Sequence, residues 1–206
     1  MNSIKQIEVI YNNRLVGRLA LTREGLCAFE YSAEWLSSGF SISPFELPLR
    51  SGVFIAKPRP FEGGFGVFDD CLPDGWGLLI LDRYLQQKGI NPRTLTLLDR
   101  LALVGSTGRG ALEFRPDNSV VTRQDFADFE KLALEAEKIL ASDDYMGEGI
   151  EEFQDRGGSP GGARPKIFVR YNDKEWLVKF RAKRDSQSIG VDEYRYSLLA
   201  KECGIE

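Results

Sequence analysis

The strongest constraint on the fold is a glycine-rich run over residues 157–166, which reads Gly157-Gly158-Ser159-Pro160-Gly161-Gly162-Ala163-Arg164-Pro165-Lys166. Four of its first six residues are glycine, and it ends in a lysine. Glycine adopts backbone conformations that other residues avoid, so such a run curls tightly and exposes N–H groups. The run therefore predicts a loop that cradles phosphate, with a mobile linker as the alternative.

Two apolar runs follow this loop and predict a β-hairpin. Residues 167–171 and 175–180 are rich in β-branched and aromatic side chains, and residues 172–174 between them are typical of a turn. Lys179 lies inside the second run, where burial of an unpaired ammonium is costly. Together, the loop, the hairpin and the lysine indicate a binding site for a nucleoside triphosphate whose phosphates contact Lys179. The alternative is an edge-strand lysine with its amino group in water.

Other nucleotide-binding motifs fit the glycine-rich run less well. A Walker P-loop places Gly before the lysine and Ser or Thr after it, at the start of a helix. Here Lys166 lies between Pro165 and Ile167 and opens a strand. A Rossmann fingerprint also precedes a helix. The pattern is closer to a kinase N-lobe, in which a glycine-rich loop and a strand lysine surround the phosphates.

Composition excludes several classes of function. The 206 residues include no histidine, which excludes histidine-containing catalytic triads and histidine metal centres from this chain. The three cysteines, Cys27, Cys71 and Cys203, are odd in number and widely spaced, which argues against a disulfide framework or a zinc site. They are expected to be buried or half-buried thiols.

The sequence shows no sign of membrane or nucleic-acid contact. The first residues lack the apolar core of a signal peptide, and no stretch approaches the roughly 18 apolar residues of a membrane span. A soluble, cytoplasmic protein is therefore expected. The net charge of −4 gives no reason to expect direct nucleic-acid binding.

Periodicity along the chain predicts an α+β fold. Strands are expected at residues 4–11 and 14–21, which form a hairpin about Asn12-Asn13, and at residues 27–31. The run 108–114 is expected to turn the chain, through its glycines, into a strand that Arg115-Pro116 ends. A short capped helix or turn is expected at 32–36, and longer helices at 75–87 with Asp74 as cap, 94–103, 123–141 and 191–204. Residues 41–66 are predicted to be irregular, and residues 143–154 to be a mobile acidic segment.

Glu193 lies in the first turn of the last predicted helix and has two interpretations. Its carboxylate either favours the helix dipole or reaches Lys179, as the helix glutamate of a kinase N-lobe does.

Several short motifs also follow one another in a definite order along the chain. In residues 1–118 they are Val16-Gly17-Arg18-Leu19, Phe29-Glu30-Tyr31, Trp35-Leu36, Leu47-Pro48-Leu49, Phe68-Asp69-Asp70-Cys71-Leu72-Pro73-Asp74-Gly75 and Leu103-Val104-Gly105-Ser106-Thr107-Gly108-Arg109-Gly110-Ala111-Leu112. In residues 119–206 they are the run from Gly158 to Lys166, Trp176-Leu177-Val178-Lys179 and Asp192-Glu193-Tyr194. This order resembles the HipA family, bacterial toxin-type serine/threonine protein kinases paired with a helix-turn-helix antitoxin.

The resemblance implies an N-terminal, strand-rich interaction subdomain with helices over residues 1–118, followed by the start of a kinase-like nucleotide-binding N-lobe over residues 119–206. It implies that ATP and Mg²⁺ are the cofactors. The residues that would bind ATP phosphates are Gly161, Gly162, Ala163, Arg164, Pro165, Lys166 and Lys179. Glu193 would be the helix partner of Lys179, and Ser159 would be the autophosphorylation residue.

The resemblance further implies transfer of the ATP γ-phosphate to a serine or threonine, with an aminoacyl-tRNA synthetase as a protein substrate and a HipB-like antitoxin as a partner. The chain stops at Glu206, before the family's catalytic aspartate, asparagine and second metal-binding aspartate. No catalytic or metal-binding residue is therefore assigned, and the 206 residues alone are predicted to be inactive without the kinase C-terminal lobe. The alternative is a non-catalytic module that docks an antitoxin or a separate kinase chain.

Overall fold

The computed structural model describes residues 3–119, 128–157 and 161–205. Its strands are β1 (Gln6–Tyr11), β2 (Arg14–Leu21), β3 (Cys27–Tyr31), β4 (Val53–Ile55), β5 (Glu113–Arg115), β6 (Lys166–Tyr171) and β7 (Lys174–Lys179). Its helices are α1 (Ala33–Ser38), α2 (Gly66–Asp69), α3 (Gly75–Gln87), α4 (Leu97–Val104), α5 (Phe129–Ala141), α6 (Gly149–Gly157) and α7 (Ile189–Glu202). The predicted α+β class is confirmed.

The N-terminal part is built on a five-stranded antiparallel sheet with strand order β4-β3-β2-β1-β5. The predicted hairpin about Asn12 and Asn13 is confirmed, and both residues have positive φ, at 46° and 60°. Asparagine tolerates this conformation better than most residues, which is why the pair suits a tight turn. Alternate side chains of β1, such as Ile7 and Val9, are buried beneath the sheet.

A first hydrophobic core lies between this sheet and helices α1, α2 and α4. Phe29 from the sheet contacts Phe68 of α2, with ring centroids 5.4 Å apart. Leu98 and Leu101 of α4 are fully buried in the same cluster. Burial of this apolar area is what stabilises the N-terminal part.

A second hydrophobic core joins α3, α5, α6 and the β6–β7 hairpin. Its buried members are Trp76, Ile80, Leu132, Ala136, Ile139, Ile150, Phe153, Ile167, Val169 and Phe180. Trp76 packs edge-on against Phe153 with centroids 5.0 Å apart. Helix α3, which belongs to the first half of the sequence, thus packs mainly with elements of the second half. The domain boundary near residue 118 remains a prediction.

The prediction of a mobile acidic segment at 143–154 was wrong. Helix α6 occupies its second half, residues 149–154, and Ile150 and Phe153 are 0% and 1% exposed. These apolar residues lie three apart, on one face of a helix, while acidic residues such as Glu151 face outward. Residues 41–66, predicted to be irregular, contain the short strand β4, which pairs with β3.

Capping determines where several helices begin. Helix α4 starts at Leu97, three residues later than predicted, because Thr96 and Asp99 form a reciprocal capping box. Helix α5 is observed from Phe129, and residues 123–127 of the predicted helix lie outside the described residues. Helix α7 begins at Ile189, two residues earlier than predicted, so the placing of Glu193 in its first turn was wrong and Glu193 lies beyond that turn.

The cysteines follow the expectation at two of three positions. Cys27 is buried and Cys71 half-buried, and burial raises the pKa of each thiol to about 11. Cys203, in contrast, is exposed. Within the described ranges, no helix is both long enough and apolar enough to span a membrane.

Candidate functional site

The β6–β7 hairpin presents two lysines at the end that adjoins the glycine-rich loop. The predicted hairpin is confirmed, and its turn residues Asn172 and Asp173 have φ of 50° and 57°. The register pairs Lys166 directly with Lys179. Like charges that face each other across paired strands destabilise the pair. Positive charge is therefore concentrated at this end, where an anion would be favoured.

Lys166 is buried and holds the loop from inside. Lys166 is only 6% exposed. Its Nζ donates hydrogen bonds to the carbonyl oxygens of Gly161, at 2.5 Å, and Gly162, at 3.3 Å. Burial lowers the pKa of Lys166, and the nearby charges of Lys179 and Arg164 lower it further, against an opposing contribution from Asp74. Lys166 thus binds loop carbonyls in this structure, and its contact with ATP stays a prediction.

Lys179 and Glu193 form an ion pair next to this loop. The distance between Lys179 Nζ and Glu193 Oε2 is 3.0 Å, and the two side chains are 49% and 41% exposed. Of the two interpretations of Glu193, the contact with Lys179 is the one that the structure contains. Its place beyond the first turn of α7 also weakens the helix-dipole interpretation, because the dipole acts within that turn.

Arg164 connects the end of the loop to the same glutamate. Its Nη1 lies 2.8 Å from Glu193 Oε1, and its Nη2 lies 3.0 Å from Asp185 Oδ1. The carbonyl of Pro165 accepts from the Phe180 N–H at 2.8 Å, which extends the hairpin ladder toward the loop. Two cations and two carboxylates thereby fix the loop's C-terminal end against the hairpin and α7.

The start of α3 contacts the other side of the loop. Asp74 Oδ1 accepts from the Gly162 N–H at 2.9 Å, and the Trp76 N–H donates to the Gly162 carbonyl at 3.1 Å. Asp74 is the N-cap residue of α3, but its side chain makes no capping hydrogen bond, so the predicted side-chain cap was wrong. The carboxylate turns to the loop instead. Gly75, at the helix start, has a φ of +45°, a conformation that glycine adopts readily.

Arg109 makes a second contact between the N-terminal part and the hairpin. Its guanidinium lies over the Phe168 ring, 3.4 Å from the centroid, and pairs with the carboxylate of Glu175. The glycines beside Arg109 were expected to turn the chain into a strand, and the contact with Phe168 was not predicted. An arginine stacked on a ring stabilises such a contact through cation–π attraction.

The described part of the site thus offers an exposed loop and accessible cations. Gly161, Gly162 and Ala163 are exposed, as is the Lys179 side chain. Such an arrangement suits a ligand with several negatively charged oxygens. Ser159 lies outside the described residues. Among the residues that are described, no group of three or more cysteine, aspartate or glutamate side chains is placed to hold a metal ion.

Comparison with known proteins adds one finding. The family model for the HipA N-terminal domain matches residues 7–115, just over half of the chain. The matched segment runs from the first strand to the last strand of the five-stranded sheet and includes α1 to α4. No curated protein matches the chain.

Proposed function

Since the chain belongs to the HipA family, we propose that its second half is the nucleotide-binding start of a kinase N-lobe. Residues 161–166 and Lys179 bind the phosphates of ATP with Mg²⁺. The intact protein transfers the γ-phosphate to serine or threonine. The catalytic aspartate and magnesium ligands of this reaction belong to a C-terminal lobe, so the 206 residues alone do not transfer phosphate.

One observation carries this proposal: the Lys179–Glu193 pair lies beside the glycine-rich loop. In protein kinases a strand lysine pairs with a helix glutamate and contacts the nucleotide phosphates. Here the strand is β7, the helix is α7, and the two charged groups are 3.0 Å apart. Glu193 orients the ammonium, and the 49% exposure of the Lys179 side chain leaves it accessible to a ligand.

The alternative for this pair is a simple surface salt bridge. Exposed pairs contribute about 0–1 kcal/mol, so stability alone gives little reason for the arrangement. Helix α7 has no buried residue and contacts the hairpin through Glu193, which Lys179 and Arg164 share. Binding of a nucleotide phosphate by Lys179 and Arg164 would account for this network, whereas its small contribution to stability does not.

Calorimetric titration tests the proposal directly. ATP with Mg²⁺ is expected to bind the chain saturably, and AMP to bind about tenfold or more weakly, because the β- and γ-phosphates make charge-assisted contacts that AMP lacks. Equal affinities would show that these phosphates contribute nothing and would contradict the proposal.

Ser159 is proposed, on the family resemblance, as the autophosphorylation residue. A phosphoryl group there brings about −1.5 to −2 charges next to the loop that receives ATP. Phosphorylated chain is therefore expected to bind ATP at least about tenfold more weakly than unmodified chain. The comparison uses phosphoserine incorporated at position 159, with Ser159→Ala as control, which should bind like the unmodified chain. Equal ATP affinity in all three forms would contradict the proposal that phosphorylation of Ser159 controls ATP binding.

The family's partners are proposed on the same basis. They are a HipB-like helix-turn-helix antitoxin, the kinase C-terminal lobe and an aminoacyl-tRNA synthetase as protein substrate.

A second candidate function is a non-catalytic docking module. It is favoured by the apolar side chains that β7 and α7 expose, among them Trp176 at 53%, Tyr194 at 63% and Leu199 at 54%. Large apolar side chains left exposed are common at protein–protein contacts. The two functions are compatible, and the titration discriminates between them. A chain that binds no ATP keeps only the docking role.

A further inference from the structure

We propose that Asp74, from the N-terminal part that matches the family model, is a positioning residue for the nucleotide loop. Its carboxylate holds the Gly162 N–H and so sets the loop conformation that receives phosphate. The inference rests on the proposed ATP binding for its functional meaning, but the contact itself is a property of the structure.

The side chain of Asp74 is used in an unusual way for its position. An N-cap aspartate ordinarily accepts an N–H of its own helix, and this stabilises the helix start. Asp74 makes no such bond in α3 and instead accepts from Gly162, 88 residues further along the chain. The start of α3 therefore lacks a side-chain cap, and the Asp74 carboxylate serves as a hydrogen-bond acceptor for the loop.

The backbone next to Asp74 holds the same loop residue. The Gly162 carbonyl accepts from the Trp76 N–H, so both backbone polar groups of Gly162 bind the start of α3. Gly75 lies between these two contacts. A Cβ atom on Gly75 would lie 2.7 Å from the Gly162 carbonyl carbon and oxygen, closer than real Cβ atoms come. The absence of a side chain at Gly75 is therefore what allows the approach.

The loop needs an external support of this kind. A run rich in glycine cannot be held by side-chain packing and has high backbone freedom when unbound. Fixing it before the ligand arrives lowers the entropic cost of binding. The support is rigid, because Trp76 is 3% exposed and Ile80 packs in the second core.

The hydrogen bond of Asp74 and its charge have opposite effects on a phosphate ligand. The acceptor holds the loop, whereas the negative charge repels phosphate. Asparagine keeps an acceptor oxygen and removes the charge, and alanine removes both. Asp74→Asn and Asp74→Ala therefore separate the two effects. Asp82→Ala is the matched control, because Asp82 is an acid on the same helix that pairs with Arg100 away from the loop.

Two readouts are measured on the full 206-residue chain. The first is hydrogen exchange of the Gly162 amide without nucleotide, and the second is affinity for ATP with Mg²⁺. For Asp74→Ala we expect Gly162 exchange about tenfold or more faster and ATP affinity about five- to tenfold weaker. For Asp74→Asn we expect exchange close to wild type and affinity equal or tighter. Asp82→Ala should leave both unchanged.

Each outcome decides the inference. Unchanged Gly162 exchange in Asp74→Ala would overturn it, as would tighter ATP binding in both Asp74 variants, since the carboxylate would then be only a repulsive charge. If wild-type chain binds no ATP, the proposed function fails, and faster exchange in Asp74→Ala alone would still establish the positioning contact. If Asp74→Ala unfolds, Asp74→Gly takes its place under the same criteria, because glycine also lacks the acceptor and is tolerated at an N-cap.

Discussion

Lys179→Ala is expected to weaken binding of ATP with Mg²⁺ by about 10- to 100-fold, the range for losing a charge-assisted hydrogen bond to phosphate. The Lys179 ammonium is held 3.0 Å from Glu193 and lies opposite Lys166 at the loop end of the hairpin. Its removal takes one cation from the ligand. It also leaves the Glu193 carboxylate with Arg164 alone, so negative charge near the phosphates is less compensated.

Stability should change little in this variant, because an exposed ion pair contributes about 0–1 kcal/mol. Lys174→Ala is the matched control, since Lys174 is an exposed lysine at the opposite end of the same strand. Calorimetry should show wild-type ATP affinity in Lys174→Ala and the loss only in Lys179→Ala. The same affinity in both variants would return Lys179 to the role of a solvated strand lysine.

Phe153→Ala is expected to lower the free energy of unfolding by about 3–5 kcal/mol, the usual range for phenylalanine truncation in a core. Phe153 is 1% exposed, and its ring lies 5.0 Å from that of Trp76 and 5.8 Å from that of Phe180. It connects α6 to both α3 and the hairpin. Alanine would leave a cavity between α3, α6 and the hairpin, and these elements cannot all move inward to fill it, so the cost of the cavity adds to the loss of stability.

Urea denaturation measures this effect, with Phe45→Ala as the matched control. Phe45 is 100% exposed, and its truncation is expected to change stability by no more than about 0.5 kcal/mol. A loss below about 1 kcal/mol for Phe153→Ala would mean that α6 is not part of a packed core.

Local sequence signals were sufficient for much of the fold. Asn12-Asn13 and Asn172-Asp173 identified both hairpins, because few residue pairs tolerate two consecutive positive φ angles. Helix α3 was predicted with its observed bounds, since apolar residues recur at helical spacing and Gly89 follows its end. Such features depend on neighbours within a few residues, and the sequence displays them directly.

Features that depend on distant partners were not predictable in the same way. Helix α6 looks too polar to be ordered, and it becomes buried only because α3 and β6 offer apolar surface to Phe153. The position of Glu193 near Lys179 was one of two alternatives until the structure brought α7 to the hairpin. The contact between Asp74 and Gly162 spans 88 residues, and no local pattern predicts it.

The most direct test of the central claim is to map ATP binding by backbone amide chemical shifts. ATP with Mg²⁺ is titrated into ¹⁵N-labelled chain, and every amide is followed. We expect the largest shifts at Gly161, Gly162, Ala163 and Lys179, with no shift at the remote glycine Gly25 in the turn before β3. Saturable shifts confined to other parts of the chain, with the loop amides unchanged, would contradict the claim that this loop receives the phosphates.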